Sequence, residues 1–214
     1  MNQIEKKIIK GELKYKNTVI LTYKIEYPQM ISSKYTYGKE IFNNYNKKKA
    51  IDLEKYVKTD LYENAKEVYE YNKANGYPIM VYEVISEYHI TYNEGFIVSL
   101  YQDEYQFTGG AHGNTIRTSQ NWNLKEGTTI PLSYFFPNNP YYTIDILKEI
   151  NKQIQTQIEE GKNQYFENYC ELVLETFNLN SYYITPIAIA IYFGQYDIAP
   201  YSSGIPVFLI KITR

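Results

Sequence analysis

The stretch PIMVYEVISEYHITYNEGFIVSLYQDEYQF, residues 78–107, contains two runs in which apolar and polar side chains alternate. Alternation with a period of two lets one face of a strand pack on a core while the other faces water. Asn93, Glu94 and Gly95 separate the two runs, and these are turn-forming residues. The stretch therefore predicts an antiparallel β-hairpin.

A strand and a helix are predicted before this hairpin. Residues 18–27 alternate as a strand does, and Pro28 ends the pattern. Residues 50–72 change to helical spacing. Their apolar stripe consists of Leu53, Val57, Leu61, Ala65 and Val68. The sequence NGYP at 75–78 is predicted to stop the helix.

A further strand, a helix pair and two closing strands are predicted after the hairpin. Residues 114–124 read as a strand that turns back at residues 125–127. Asn139 and Pro140 are predicted to begin a helix that stops at Gly161. A second helix is predicted over about 162–177. The closing strands are YYITPIAIAIYF, residues 182–193, and IPVFLIKI, residues 205–212.

The pattern as a whole predicts an α+β fold with mixed, mainly antiparallel sheets. One helix falls in the N-terminal half and a helix pair falls in the C-terminal half. We expect two domains, an α/β domain over residues 1–118 and an α+β domain over residues 119–214.

Composition limits the classes of site that the chain can build. The single cysteine, Cys170, excludes an internal disulfide framework and a cysteine-based zinc site. The 26 tyrosines suit half-buried sheet faces and binding surfaces, although they also fit a composition that is rich in Asn, Lys and Ile. No window approaches the roughly 18 apolar residues of a membrane span, and the first residues lack a signal-peptide core.

Charge is unevenly distributed along the chain. Residues 1–60 carry a balance of +6, and residues 61–214 carry a balance of −8. The lysine run in NYNKKKAIDLEKYVK is not accompanied by an array of arginines and aromatic residues, so nucleic-acid binding is not expected. The acidic remainder would attract a cationic partner.

The glycine-rich stretch FTGGAHGNTI, residues 107–116, raises the question of catalysis. It lacks the helix and the Gly-Lys-Ser/Thr ending of a phosphate loop. A zinc site would have to combine the only two histidines with a nearby carboxylate. The residues for such a site are His89 and His112 with Asp103 or Glu104. Paired carboxylates for glycoside hydrolysis stay open, with Asp103, Glu104 and Asp197 near loops.

The structural interpretation of this stretch is a tight corner between strands. Gly109 and Gly110 permit a positive φ, and Gly113 allows a close approach of two backbone segments. His112 would lock the corner by hydrogen bonding to a backbone carbonyl. No metal or cofactor is therefore predicted.

The segment FTGGAHGN resembles the signature of a bacterial extracytoplasmic family, largely of unknown function. That family includes the ectodomain of the lysozyme-sensing anti-sigma-V factor, and a similar region precedes the catalytic domain of some peptidoglycan deacetylases. The order LKEGTTIPLSYFF, helix pair and IYFGQYDIAPYSSGIPVFLIKI resembles the C-terminal half of the family. The resemblance spans about residues 10–213 and implies an α/β layer followed by an α+β domain.

Two departures from that family limit what the resemblance implies. The sequence shows no transmembrane anchor or sigma-binding segment, so signalling by regulated proteolysis is not expected of it. It also shows no deacetylase domain, so deacetylation is not implied. The resemblance implies an extracytoplasmic location, while a cytoplasmic one stays open because no signal peptide or anchor is seen.

We expect a non-catalytic binding domain of the cell envelope. Its partner would be lysozyme or another cationic protein, or cell-wall glycan stacked on rings such as that of Trp122, although Trp122 also fits the core of a sheet. The predicted binding residues are His112, Asn114, Asp197, Pro200 and Tyr201. The segment that holds the last three also fits a purely structural connection that packs Tyr196 inward. The alternatives are a cell-wall-active hydrolase or deacetylase-like enzyme that uses His112, and a structural interaction module.

Overall fold

Two sheets organise the chain in the computed structural model, which describes residues 2–162 and 164–212. The larger sheet has the strand order β1-β2-β3-β4-β5-β6, and the smaller has the order β7-β8-β9. The strands of the larger sheet are β1 (Gln3–Tyr15), β2 (Thr18–Ser32), β3 (Tyr82–Glu94), β4 (Ile97–Phe107), β5 (Asn114–Asn123) and β6 (Thr128–Thr129). Those of the smaller sheet are β7 (Tyr182–Ile184), β8 (Ile189–Tyr192) and β9 (Val207–Ile210). The predicted fold class, α+β with mainly antiparallel sheets, is confirmed.

The chain divides into two units that interleave along the sequence. The N-terminal unit comprises Met1–His89, Gln102–Ile116 and Leu124–Gly127. The C-terminal unit comprises Ile90–Tyr101, Arg117–Asn123 and Thr128–Arg214. The predicted domain boundary between residues 118 and 119 stays a prediction.

In the N-terminal unit, β1 and β2 form a long antiparallel hairpin that the sequence patterns did not predict in full. Its two central turn residues, Lys16 and Asn17, have φ values of 46° and 65°. Left-handed values at both positions match the twist of the two strands. β3 pairs with the other side of β2 in parallel, from Leu21 opposite Tyr82 to Ile25 opposite Ser86.

A helical segment connects these parallel strands. It consists of α1 (Thr36–Tyr56), a π-helical turn (Val57–Leu61) and α2 (Tyr62–Asn75). The predicted helix over 50–72 was too short at its start, because Phe42 is the one large apolar residue among the buried positions of α1, and its buried neighbours Gly38 and Asn46 give no apolar stripe. Gly76 ends α2 in the left-handed conformation, with φ 71°. The stripe predicted at Val57, Leu61 and Ala65 is buried against β2 and β3.

A buried carboxylate lies in the same unit. Glu26 is 3% exposed and accepts ion pairs from Lys6 at 2.5 Å and Lys24 at 2.8 Å. Burial alone would raise the pKa of the Glu26 carboxyl, but hydrogen bonds from Lys24 and Lys6 outweigh it and hold the pKa below its ordinary value.

The C-terminal unit contains the predicted helix pair, α3 (Tyr142–Glu159) and α4 (Tyr169–Thr176). Ile146, Ile150 and Ile154 repeat every four residues along α3 and are fully buried in the core of this unit. The helix begins later than predicted. Asn139 lies before it, accepting the Tyr141 N–H at 2.9 Å instead of occupying the cap position itself.

The predicted strand over 182–193 was wrong, because two strands occupy this region. β7 and β8 are antiparallel neighbours joined by a tight turn. The Thr185 N–H donates to the Ala188 carbonyl at 2.9 Å, and the Ala188 N–H donates to the Thr185 hydroxyl at 3.0 Å. Pro186 lies in that turn, where its missing N–H costs the ladder no hydrogen bond.

Buried polar side chains complete the hydrogen bonding of β7. The Ile184 N–H donates to the Ser99 hydroxyl at 2.8 Å, and the Asn121 amide donates to the Tyr182 carbonyl at 2.9 Å. The Ser99 hydroxyl in turn donates to the Asn121 side-chain oxygen at 2.7 Å. The Tyr182 hydroxyl donates to the Ile130 carbonyl, and burial raises the pKa of that phenol. The Ile184 N–H and the Tyr182 carbonyl therefore have hydrogen-bond partners although they are buried away from water.

Among the residues that the structure describes, no helix combines the length and the apolar character needed to cross a bilayer.

Candidate binding site

The glycine–histidine stretch forms the connection between β4 and β5. Gly109 and Gly110 have φ values of 100° and 90°, a region that side-chain-bearing residues rarely adopt. Gly113 is buried against the end of β4. A Cβ at that position would lie 2.5 Å from a Tyr105 ring carbon and 2.6 Å from the Gln106 carbonyl oxygen. Glycine is required at this corner on steric grounds.

His112 lies on the outer side of this corner. Its Nδ1 is 3.0 Å from the carbonyl oxygen of Gly113, a hydrogen bond when Nδ1 carries the proton. His112 and Asn114 are both exposed. Glu104, a carboxylate considered as a partner of His112, forms an ion pair with Lys49 at 2.9 Å. Across residues 2–162 and 164–212, no three His, Cys, Asp or Glu side chains are grouped as a metal site requires.

The second irregular segment, residues 194–204, is fixed by a local carboxylate. The Gly194 N–H donates to Asp197 Oδ2 at 2.6 Å, and the Asp197 N–H donates to the Gly194 carbonyl at 3.3 Å. Tyr196, between them, has a φ of 66°. Because a charged acceptor makes a strong hydrogen bond, Asp197 holds the turn in this conformation.

The residues after Asp197 attach the segment to the core. Ile198 and Ala199 are 0% and 1% exposed and belong to the main apolar cluster of the C-terminal unit. The Ile198 carbonyl accepts the Phe166 N–H at 3.1 Å. The segment is therefore a fixed platform, of the kind that presents recognition residues.

Two tyrosine rings lie side by side on this platform, one exposed and one partly buried. Tyr196 is 50% exposed, and its ring centroid lies 5.9 Å from that of Tyr201, with 34° between the ring planes. Tyr196 does not pack inward, because Ile198 and Ala199 fill the core positions instead. Pro200 precedes a short 3₁₀ turn, Tyr201–Ser203, which begins with the second ring. Sequence reasoning selected Asp197, Pro200 and Tyr201 but missed Tyr196 as the exposed partner of Tyr201.

A polar cleft of about 290 Å³ lies next to the same 3₁₀ turn. The described residues that line it are Gly161, Lys162, Gln164, Ser202 and Ser203. The Ser203 hydroxyl donates to the Gln164 carbonyl at 2.8 Å. The hydroxyl groups of Ser202 and Ser203, which follow Tyr201 in the chain, thus share a cleft with polar groups of Lys162 and Gln164.

The predicted binding residues fall into two separate groups. His112 and Asn114 belong to the glycine corner of the N-terminal unit, whereas Asp197, Pro200 and Tyr201 belong to one loop of the C-terminal unit. Trp122, considered as a sugar-stacking ring, is 4% exposed and donates its indole N–H to Gln120 at 2.9 Å. Trp122 is therefore a core residue of β5, the other interpretation of its position, and not a stacking surface.

Comparison with known proteins matches a different family to each part of the chain. Residues 14–115 match the family described as deacetylase PdaC, and residues 134–213 match a protein family of unknown function, DUF3298. The chain is similar to these two families over those residues. This agrees with the expected domain family of unknown function.

Two solved structures share the fold of this chain. A DUF3298 family member from Bacteroides fragilis NCTC 9343 superposes with a TM-score of 0.69 at 18% identity, covering 98% of this chain and 91% of its own. A DUF3298 family protein from Pseudomonas aeruginosa PAO1 gives a TM-score of 0.58 at 15% identity, covering 99% and 91%. Among curated proteins, none matches the chain.

Proposed function

We propose that this chain is a non-catalytic binding domain of the bacterial cell envelope that recognises cell-wall glycan. The Tyr196–Tyr201 ring pair, in which Tyr196 is exposed and Tyr201 is partly buried, carries the proposal. Sugar rings have an apolar C–H face, and tyrosine offers a flat apolar ring with a polar tip that such a face stacks on. The resemblance to an extracytoplasmic family and the similarity to the deacetylase PdaC family support a location outside the cytoplasm.

The platform under these rings is already ordered in the free chain. The Asp197–Gly194 hydrogen bonds and the burial of Ile198 hold the loop before any ligand arrives. A pre-ordered site loses little conformational freedom on binding, so more of the contact energy contributes to affinity. The adjoining cleft with Ser202 and Ser203 supplies polar groups for sugar hydroxyl and acetamido groups.

Isothermal titration with chitohexaose, the β-1,4-linked hexamer of N-acetylglucosamine, tests this proposal. We expect binding that Tyr201→Ala weakens about tenfold, which corresponds to about 1.4 kcal/mol. Tyr141→Ala is the matched control, because Tyr141 is 68% exposed and lies before α3 outside both predicted binding groups. Equal affinities of the wild type and Tyr201→Ala would contradict the proposed site.

A cationic protein such as lysozyme is the second candidate partner. The balance of −8 over residues 61–214 favours it, since opposite charges steer association. Titrations with lysozyme and with chitohexaose, each at about 50 and 300 mM salt, separate the two candidates. Charge-steered binding weakens as salt screens the charges, whereas stacking on tyrosine does not. If neither lysozyme nor chitohexaose gives a heat of binding, the structural interaction module is the remaining interpretation.

A further inference from the structure

A second pair of exposed tyrosines lies at the end of α2. Tyr71 is 61% exposed and Tyr77 is 56% exposed. Their ring centroids are 6.1 Å apart with 32° between the ring planes. These values nearly repeat the 5.9 Å and 34° of the Tyr196–Tyr201 pair. The two pairs belong to different units and arise from unrelated stretches of sequence.

The chain fixes this second pair as firmly as the first. Gly76, in the left-handed conformation, reverses the chain after α2 and returns Tyr77 toward Tyr71. The Tyr77 N–H donates to the Asn72 carbonyl at 2.8 Å, and the Asn72 side-chain amide donates to the Pro78 carbonyl at 3.1 Å. The hydrogen bonds hold the backbone on both sides of Tyr77, so its ring is presented from an ordered segment.

An apolar strip continues from the tyrosine pair. Ile79, Met80 and Val81 are 37%, 38% and 41% exposed, so large apolar side chains face water at consecutive positions. Contiguous exposed apolar surface of this kind marks a place where something binds. A Cβ built at Gly109 would be 3.9 Å from Met80, which places the strip beside the glycine corner that carries His112. The lack of a side chain at Gly109 leaves this end of the strip uncovered.

We infer that Tyr71, Tyr77 and the strip from Ile79 to Val81 form a second glycan-binding site. Its ligand class is an N-acetylated pyranose chain, with a sugar ring on the tyrosine pair and an acetamido methyl group on the apolar strip. The inference rests on the proposed function, because it assumes that two tyrosine pairs with similar ring geometry bind the same class of ligand.

Fluorine NMR on protein containing 3-fluorotyrosine tests the two sites separately. The resonances of Tyr71, Tyr77, Tyr201 and the control Tyr141 are assigned from Tyr→Phe variants, and chitohexaose is then titrated. We expect the Tyr71 and Tyr77 resonances to shift in a saturable manner, and the Tyr141 resonance to stay in place. In the double variant Tyr71→Ala/Tyr77→Ala, we expect affinity for polymeric peptidoglycan to fall at least tenfold, with a melting temperature near that of the wild type.

The outcomes of this titration separate the inference from the proposed function. If the Tyr201 resonance shifts and those of Tyr71 and Tyr77 do not, the second site is overturned and the first stands. If only Tyr71 and Tyr77 respond, the second site stands and the proposed site at Tyr201 fails. No response at any of the three overturns both. Sedimentation that shows a dimer which Tyr77→Ala dissociates would assign the strip to a second copy of the chain and overturn the inference.

Discussion

Replacing Asn121 by alanine removes the side chain that completes the edge of β7. Asn121 accepts the Ser99 hydroxyl at 2.7 Å and donates to the Tyr182 carbonyl at 2.9 Å. The Asn121→Ala variant therefore leaves a hydroxyl donor and a backbone carbonyl without partners. Ser99 is 0% exposed and Tyr182 is 3% exposed, so water does not reach either group in the intact fold.

The expected loss of stability follows from these two groups. A buried hydrogen-bonding group that loses its partner costs about 1–3 kcal/mol, so the two together cost about 2–6 kcal/mol. For a chain of this length, each kcal/mol lowers the melting temperature by roughly 2–4 °C. We therefore expect Asn121→Ala to melt at least about 4 °C below the wild type.

Thermal melting followed by circular dichroism, supported by urea titration, measures this difference. Asn114→Ala is the matched control, because Asn114 lies on the same strand and is exposed. It should change the free energy of unfolding by no more than about 0.5 kcal/mol. In a double-mutant cycle with Ser99→Ala, the two effects should fail to add, since the residues share one hydrogen bond. A loss below about 1 kcal/mol for Asn121→Ala would refute the reasoning that this network is closed to water.

Three further predictions concern the corner, the buried carboxylate and the tyrosine platform. Gly113→Ala should lower the free energy of unfolding by about 1–3 kcal/mol, because its Cβ would collide with Tyr105; an unchanged calorimetric melting temperature would contradict this. The lowered pKa of Glu26 means that its charged form stabilises the fold above its ordinary pKa and that this contribution is lost as pH falls through the lowered pKa. Glu26→Gln should accordingly be less stable than the wild type at pH 7, with a gap that closes in acid; a gap independent of pH in urea titrations would be the opposite result. Asp197→Ala should weaken chitohexaose binding, measured by calorimetry, because the loop loses the hydrogen bond that holds it. Asp197→Asn keeps an acceptor and should retain most of the affinity. Equal losses of affinity in the two variants would argue against the hydrogen bond.

Elements with strong periodicity could be predicted from the sequence. The hairpin of β3 and β4 alternates clearly and turns at Gly95, whose φ is 58°. The strand β1 was missed, because lysine and glutamate occupy many of its positions and its side chains are only partly buried. The start of α1 was missed for a related reason. Gly38 is buried there because its position lies directly against the Leu124 backbone, a contact that no local pattern reveals.

The limits of prediction were similar at the candidate site. The glycine corner and the YDIAPYSSG loop were recognisable because their residues favour turns. The exposure of particular tyrosines was not, since one ring among 26 has the same local signature whether it is packed or free to contact a ligand. Tyr71 and Tyr77 become a pair only when Gly76 reverses the chain, and Tyr196 becomes exposed only because Ile198 takes the core position.

The long outer strand β1 carries four of the lysines of the basic first sixty residues. It forms one edge of the six-stranded sheet over thirteen residues, and an edge of that length invites other strands to add to it. Exposed lysines occur along it at Lys6, Lys7, Lys10 and Lys14. If a second copy of the chain paired with this edge, its lysine ammonium groups would lie beside those of the first copy, and both would lose water. We therefore expect the lysines of β1 to oppose fibril-like growth, so replacing Lys7, Lys10 and Lys14, which do not pair with the buried Glu26, by threonine should make the protein more prone to aggregate.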